Sequence, residues 1–578
     1  MIYELRKFKI ILFGIIFSSS FLLWGKAHGA CSWDGNAGTV ASPYDHADVQ
    51  NCVDDAKLKT GDITINIPTC NVSWDDRVLI DMSSSWANVT GLTIQGAGIG
   101  QTIITDTGTS SAFGVVRLFN IVTKTEKIFR LSGMTLNAST TYGIDSTSGL
   151  IYVSGNGTQI RIDAITFNLL RGSSNNKDST GISWHQDTGA YGVIDNCIFN
   201  ETGTLWQGNG IKVYGAPSGY GEATAFFGRA FTPGTANATY IENNTFTFEY
   251  RGNDCYDAYR GARVVVRYNN IHGTASGGHG NDSSGAGESV HTQEVYNNSY
   301  DNTCGAASCN AGAKISQAFG WRGGTGVFFN NNIDVNGYSS VSQVGNYRSN
   351  YYAEGTATNV TPSSTVLYTS STGTAAVGNT IYRQGGTDIA YCTITGVVAN
   401  TSITCSGGLS NSKQWSSGDK FMVFYFPLAN TDGGCDGNSP FDGNVSGQEG
   451  WICKQQVGST YDSGYVPKAI YAWGNVYNGA TAGHLTLSSG STRQSSYHVK
   501  ENQTYFNCDS AADCKTKNDL IDIPGFGYNQ GWTYAPYDCP HPLAGTGSCD
   551  EGTAGTGGYN ITNSDTTAPA SPTGLAVS

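Results

Sequence analysis

The chain has 578 residues, of which 76 are Gly and 46 are Asn; 13% are charged, and the formal net charge at pH 7 is −13. So little charge with 11% aromatic residues excludes a disordered chain. Glycine without a three-residue period excludes collagen, and a shortage of strong helix formers argues against a helical bundle. A net acidic chain is a poor match for nucleic acid. The composition points to a β-rich, turn-rich protein long enough to bury a large core.

Residues 1–29 read as a signal peptide. Arg6, Lys7 and Lys9 precede an apolar run from Ile10 to Trp24, which is short for a membrane span. Ala27-His28-Gly29 places small residues before a cut at Ala30. No later run is apolar enough to cross a membrane. The expected product is secreted, extracellular or at the cell surface, and is not an integral membrane protein. All 15 Cys follow this segment, and export makes disulfides expected. Close neighbours suggest Cys304–Cys309, Cys392–Cys405, Cys435–Cys453, Cys508–Cys514 and Cys539–Cys549. Among Cys31, Cys52, Cys70, Cys197 and Cys255, Cys52–Cys70 is the favoured further pair, and the odd total leaves at least one thiol unpaired.

Residues 46–57 form a helix: Val49, Cys52, Val53 and Ala56 fall on one stripe, and Asp45 can cap its start. Short alternating strands follow at residues 63–67, 92–95, 128–131 and 159–162. A weak internal repeat then sets in, polar residues followed by Asn and an apolar or aromatic residue, as in Glu242-Asn-Asn-Thr-Phe246 and Tyr296-Asn-Asn-Ser-Tyr300. Phe167, Phe199, Phe246, Ile271, Tyr300 and Ile333 mark it. A period of about 25 residues with variable loops suits one coil of a solenoid. Short strands, an aromatic stack inside and Asn at the corner describe an all-β, right-handed parallel β-helix. Asn tolerates the left-handed backbone there, and its amide can bond the next coil. Aligning the markers puts Glu242, Arg267 and Tyr296 in one column and Val265 level with Glu294. Glu242–Arg267–Glu294 then reads either as a cross-strand ion-pair ladder or as part of a polysaccharide groove.

The β-helix body is expected over 30–354 and 427–550, with a β-rich insertion at 355–426, where Thr, Ser, Gly and Val replace the Asn-corner pattern. Residues 551–578 join a Gly/Thr/Asn linker to Ala568-Pro-Ala-Ser-Pro-Thr-Gly-Leu575, which looks like the first strand of a fibronectin type III module.

The helix, then Gly61-Asp-Ile-Thr-Ile-Asn-Ile-Pro68 and Leu92-Thr-Ile-Gln-Gly-Ala-Gly98, resembles the N-terminal cap and first coils of secreted pectate-lyase-like right-handed β-helix proteins. The blocks Arg263-Val-Val-Val-Arg-Tyr-Asn-Asn270, Trp321-Arg-Gly-Gly-Thr-Gly326 and Pro540-His-Pro-Leu543 are similar to a bacterial set of that superfamily. The resemblance implies a fold more than a chemistry, because the superfamily holds lyases, hydrolases, esterases and non-catalytic adhesins.

The densest polar cluster lies between residues 254 and 294. In a polysaccharide groove, Asp254, Asp257, Arg263, Arg267, His279 and Glu288 are the catalytic candidates. Carboxylates there can protonate a leaving oxygen, and the superfamily resemblance implies Arg263 or Arg267 as the base of a lyase. Asp254 and Asp257 could also hold Ca²⁺ through oxygen ligands. Trp321, Arg322, Arg260, His291 and Trp206 are the sugar-contact candidates, Trp321 because it stands beside a Gly-rich turn that lets a ligand approach. Asn253-Asp254 and Gly278-His279-Gly280 match fragments of the polygalacturonase pattern, whereas its adjacent Asp pair and Arg-Ile-Lys are absent. The expected function is binding, and cleavage by a lyase- or hydrolase-like reaction, of an extracellular polysaccharide. The alternative is a non-catalytic surface adhesin or structural scaffold.

Overall fold

A computed structural model describes residues 45–83, 86–108, 118–138, 149–170, 179–186, 189–202, 208–215, 233–248, 254–278, 289–301, 317–334, 340–344, 350–384, 390–425, 457–461, 465–481, 485–487, 501–520, 522–523, 527–528 and 534–545. The signal-peptide reading, the fibronectin-like end, Trp206, His279 and Glu288 fall outside these residues.

The opening helix, α1 (His46–Ala56), buries Val49, Cys52, Val53 and Ala56, and the Asp45 side chain accepts from the Asp48 N–H at 3.0 Å. It plugs the end of a right-handed parallel β-helix. Each coil lays one strand on each of three flanks. In one coil Arg263–Arg267 lies on flank 1, Asn270–His272 on flank 2 and Ala275–Gly278 on flank 3. Coil after coil pairs in parallel with the next, and parallel crossovers within one sheet are right-handed almost without exception. Flanks 1 and 2 form a 20-stranded sheet because Ile128–Asn137 and Gln159–Leu170 run unbroken through the corner between them; flank 3 is a separate 10-stranded sheet.

The marker residues stack in register: Phe167, Phe199, Phe246, Ile271, Tyr300 and Ile333 pair in sequence on flank 2. The rings of Phe167 and Phe199 are 4.6 Å apart and those of Phe199 and Phe246 4.7 Å apart, both stacked. Gly181 and Gly210 make room for this stack. A Cβ on Gly210 would sit 2.9 Å from the Phe246 ring and 2.6 Å from the Cys255 carbonyl, so part of the glycine excess is a packing requirement.

The corner between flanks 1 and 2 divides its two jobs between adjacent residues. The first takes positive φ: Asn243, Tyr268, Asn297 and Asn330 lie between 51° and 57°. The second points inward as an asparagine ladder. Asn244, Asn269, Asn298 and Asn331 each donate from Nδ2 to the Oδ1 of the next Asn, ending at Asn475, at 2.9 to 3.1 Å. Each Nδ2 also reaches a strand carbonyl of the preceding coil. The left-handed Tyr268 breaks the strict alternation of the strand. Val264 and Val266 therefore face inward while Val265, Arg267 and Tyr268 belong to the outer side.

After the flank 3 strand Ser340–Val344 the chain leaves the solenoid, and register resumes when Ile470–Trp473 pairs with residues 326–329. Between them an antiparallel six-stranded sheet, from Asn350–Thr356 to Lys420–Tyr425, packs its own core around Leu367, Ile381, Ile394, Trp415 and Phe421. Cys392–Cys405 closes it, as expected, and Cys508–Cys514 ties helix α2 (Ala511–Asp519) to the last flank 1 strand. The pairing Cys52–Cys70 is wrong. Cys52 and Cys539 are disulfide-bonded to partners outside the described residues, and Cys70, Cys197 and Cys255 are free thiols. Among the described residues no helix is long and apolar enough to cross a membrane.

Candidate functional site

Two outer faces carry the charged residues singled out in the sequence. Flank 1 is sealed. Its outward aromatic residues Tyr240, Tyr296, Phe329, Tyr471 and Trp473 form a second hydrophobic cluster under a C-terminal strap, residues 534–545, that adds Tyr534, Tyr537 and Leu543. Arg267 is the hook. It is fully buried, donates from Nε to Glu242 at 2.8 Å and from Nη1 to the Tyr296 hydroxyl at 3.0 Å. It then captures the strap carbonyls of Tyr537 and Asp538, both at 2.7 Å. Glu242 in turn accepts the His541 backbone N–H at 2.9 Å. The pairs Arg130–Asp163 and Arg161–Asp195 continue the ladder up the same face with bidentate geometry.

Glu294 does not join that ladder. Level with Val265, it is displaced from the Arg267 column, and its carboxylate accepts from the Gly234 N–H at 3.0 Å and the Tyr534 hydroxyl at 2.7 Å. Burial pushes it up to about 7 against those two bonds and the charge of Arg267. Burial likewise raises Asp195 to about 6 against Arg161. It also lowers His541 to about 3, helped by the charges of Arg267 and Arg161.

Several candidates are withdrawn from solvent by this packing. Arg267 holds a strap in place, so it is not positioned as a lyase base. Arg263 is buried, exchanges backbone bonds with the Gln186 amide and donates to the Tyr191 hydroxyl at 3.2 Å. Trp321 is fully buried, edge-on to Phe319 at 5.2 Å, so its ring offers no face to a sugar. The Gly-rich turn beside it instead brings backbone close: a Cβ on Gly326 would meet the Gln293 carbonyl. His291 is buried at the start of a flank 1 strand, with Nδ1 2.6 Å from Thr292 Oγ1.

Flank 3 is built differently. Its strands Ser179–His185, Gly208–Tyr214 and Asp254–Tyr259 place Ser183, Lys212 and Asp257 in one outward column. The next outward column is aromatic: His185 stacks on Tyr214 at 4.7 Å and Tyr214 on Tyr259 at 5.2 Å, while Tyr152, level with Ser183 one coil earlier, tilts against His185 at 4.5 Å. Ser183 Oγ lies 3.0 Å from His185 Nε2, and the Tyr259 hydroxyl donates to Asp257. The Arg260 guanidinium sits 5.3 Å over the Tyr214 ring, and Lys212 Nζ is 6.0 Å from the Tyr259 ring centre.

Strict alternation would send Asp254 and Asp257 to opposite faces. Here Cys255 and Tyr256 are both buried in the core, and the pairing to the next coil shifts between Asp254 and Asp257. This bulge re-aims Asp254 so that both carboxyls face the same side, a common use of the irregularity. Burial pushes Asp254 up to about 7; the charge of Asp257 raises it further, and Arg322 and Lys212 oppose the rise. A carboxyl that keeps its proton near neutrality beside an acidic partner is the arrangement acid–base catalysis uses.

The same surroundings do not suit calcium. Ca²⁺ takes six or more oxygen ligands. Among the described residues no group of three or more His, Cys, Asp or Glu could hold a metal, and two cationic side chains act on Asp254. Of the sequence candidates, then, Asp254, Asp257, Arg260 and Arg322 come together on flank 3, while Arg263, Arg267, Trp321 and His291 do not join them. Lys212, Tyr214, Tyr259 and Ser183 escaped the sequence reading, in which His185 passes for an ordinary loop or strand residue. The parallel phrases Thr180-Gly-Ile-Ser-Trp-His185 and Asn209-Gly-Ile-Lys-Val-Tyr214 were the available signal, because they align the flank 3 strands.

No protein-family model matches the chain, and no curated protein matches it. Among solved structures, the A-module of a mannuronan C-5 epimerase from Azotobacter vinelandii is similar at 14% identity and a TM-score of 0.24, over 55% of this chain and 98% of that one. A mutant tailspike protein of E. coli bacteriophage HK620, in complex with a pentasaccharide, is similar at 13% identity and a TM-score of 0.17, over 68% of this chain and 92% of that one. Scores this low carry no argument about chemistry.

Proposed function

We propose that this protein binds an extracellular polysaccharide across the outer face of flank 3 and cleaves it there by hydrolase-like acid–base chemistry. The observation that carries this reading is the Asp254–Asp257 pair, with Asp254 raised to about 7 and Lys212 and Arg322 acting on it. In the reaction Asp254 gives its proton to the glycosidic oxygen as the C–O bond breaks. Asp257 takes a proton from the water that adds to the sugar, or attacks the sugar first and is released by that water, according to the separation of the carboxyls across the bound bond. Lys212 and Arg322, whose charges act on Asp254, would hold hydroxyls or carboxylates of the chain. Hydrolysis is favoured over elimination because the arginines considered as lyase bases are buried and bonded elsewhere.

The test is a panel of polysaccharides read both for new reducing ends and for 4,5-unsaturated products. Reducing ends without unsaturation, lost in Asp254→Asn and Asp257→Asn variants that still fold, is the expected result. Unsaturated products would reassign the chemistry to a lyase. Binding without product from any polymer would favour the scaffold reading, which the sealed, fully paired flank 1 also suits.

A further inference from the structure

Among the described residues, flank 2 is neither sealed like flank 1 nor charged like flank 3. Its strands alternate buried inward residues with half-buried outward ones, as in Ile198–Thr202, Thr245–Phe248, Asn270–His272 and Ser299–Asp301. The outward residues line up in two columns. One runs Thr105, Asn137, Asn168, Asn200, Thr247, His272, Asp301. The other runs Thr135, Thr166, Ile198, Thr245, Asn270, Ser299.

The first column is a ladder on the outside of the solenoid, separate from the buried one. Asn200 donates to Asn168 at 3.3 Å, Asn168 to Asn137 at 2.8 Å and Asn137 to Thr105 at 3.1 Å. Each inner amide uses one N–H and one oxygen lone pair in the ladder. A second N–H and a second lone pair remain at each coil, repeated about every 4.8 Å. In the second column the Thr166 hydroxyl is buried with no hydrogen-bond partner. From Thr105 to Thr247 neither column contains a charged side chain, although the chain as a whole carries −13. The first ionisable members, His272 and Asp301, bond each other at 2.8 Å.

We propose that flank 2 is a docking face for an extended, uncharged polysaccharide lying along the solenoid axis. Sugar hydroxyls both donate and accept, which matches a row of amides and hydroxyls with one donor and one acceptor unused per coil. The coil repeat is close to the rise of one sugar residue in an extended chain, so successive residues can meet successive coils. The ladder already fixes the amide rotamers, so binding costs little side-chain entropy. A strip without charge in an acidic protein gives a polyanion no attraction and a neutral polymer no penalty.

The test measures retention of the whole protein on insoluble cellulose, curdlan and mannan, and on immobilised polygalacturonate. Thr247→Lys puts a charge into the row without touching the ladder bonds, and Thr247→Ala with Asn200→Ala removes polar groups from its open end. The expected result is retention on at least one neutral polymer, weakened about tenfold in Thr247→Lys, with the melting temperature unchanged. The proposal is overturned if no neutral polymer retains the protein, if only polygalacturonate does, or if both flank 2 variants bind as the parent does. Loss of retention in Asp254→Asn alone would also overturn it, by assigning binding to flank 3. Failure to find a cleavage product bears on flank 3 only.

Discussion

Flanks 1 and 3 belong to the same coils and carry the same chemical types, acids, basic residues and tyrosines, yet they end in opposite states. On flank 1 every charged group in the Glu242–Arg267 ladder faces an opposite charge or a strap carbonyl, under an aromatic lid. On flank 3 two carboxyls share one neighbourhood, and the charge of Asp257 adds to the rise of Asp254. A column of charges in a solenoid is paired off or left with perturbed neighbours according to what covers it. Arg267 is pinned because segment 534–545 brings carbonyls to it. The Asp254 side has no such strap among the described residues.

Arg267 is the point at which flank 1 is most vulnerable. Arg267→Ala would leave Glu242 buried without its counter-charge and unhook the strap, a loss on the order of 3–5 kcal/mol, measurable by urea denaturation. A loss near that of an exposed ion pair, about 1 kcal/mol or less, would mean that the strap is held by its aromatic contacts alone.

On flank 3 the counterpart is Asp254→Asn. Loss of the proposed general acid should lower product formation by about 10²–10⁴-fold. Stability should move the other way. Asp254 has an ordinary value of 3.8 and about 7 in the folded protein, so the folded state holds the proton more tightly than the unfolded state. Its contribution to stability is full below pH 3.8 and is lost as pH rises through 7. At pH 8 the Asn variant, which cannot ionise, should therefore melt above the parent, and the gap should close toward pH 4.

The buried asparagine ladder serves both flanks and should be indifferent to the contrast. Asn298→Ala would leave the Asn269 backbone N–H without its acceptor and take the Asn298 amide from the Val266 carbonyl, costing about 1–3 kcal/mol. The effect should appear in thermal melts, with the residual activity per folded molecule unchanged. The smallest effect belongs to His541. Its value falls from 6.5 to about 3 in the folded protein. The unfolded chain then takes up a proton that the folded chain refuses, and stability is lost as pH falls from 6.5 toward 3. A His541→Asn variant should show a flatter acid limb than the parent between those limits in a series of melting curves.

Much of the solenoid was legible in the residues. The marker column, the corner asparagines and the helix stripe depend on local spacing, and all three appear where the spacing puts them. The candidate site was legible in part. Asp254 and Asp257 were picked for their chemistry, but their shared orientation needed a bulge with Cys255 and Tyr256 both turned inward, which period-two reasoning cannot supply. Lys212 was missed because it lies one coil earlier, and loops of variable length hide which strand stacks on which.

The amino-acid sequence by itself determined the coil: short alternating strands, Asn where the backbone turns left-handed, and rings at the marker positions. These are nearest-neighbour requirements, written within each repeat and repeated along the chain. Tertiary structure alone decided which charges became inert. Arg267 meets carbonyls 270 and 271 residues away, and burial by that distant strap, rather than any feature of its own strand, fixes its role.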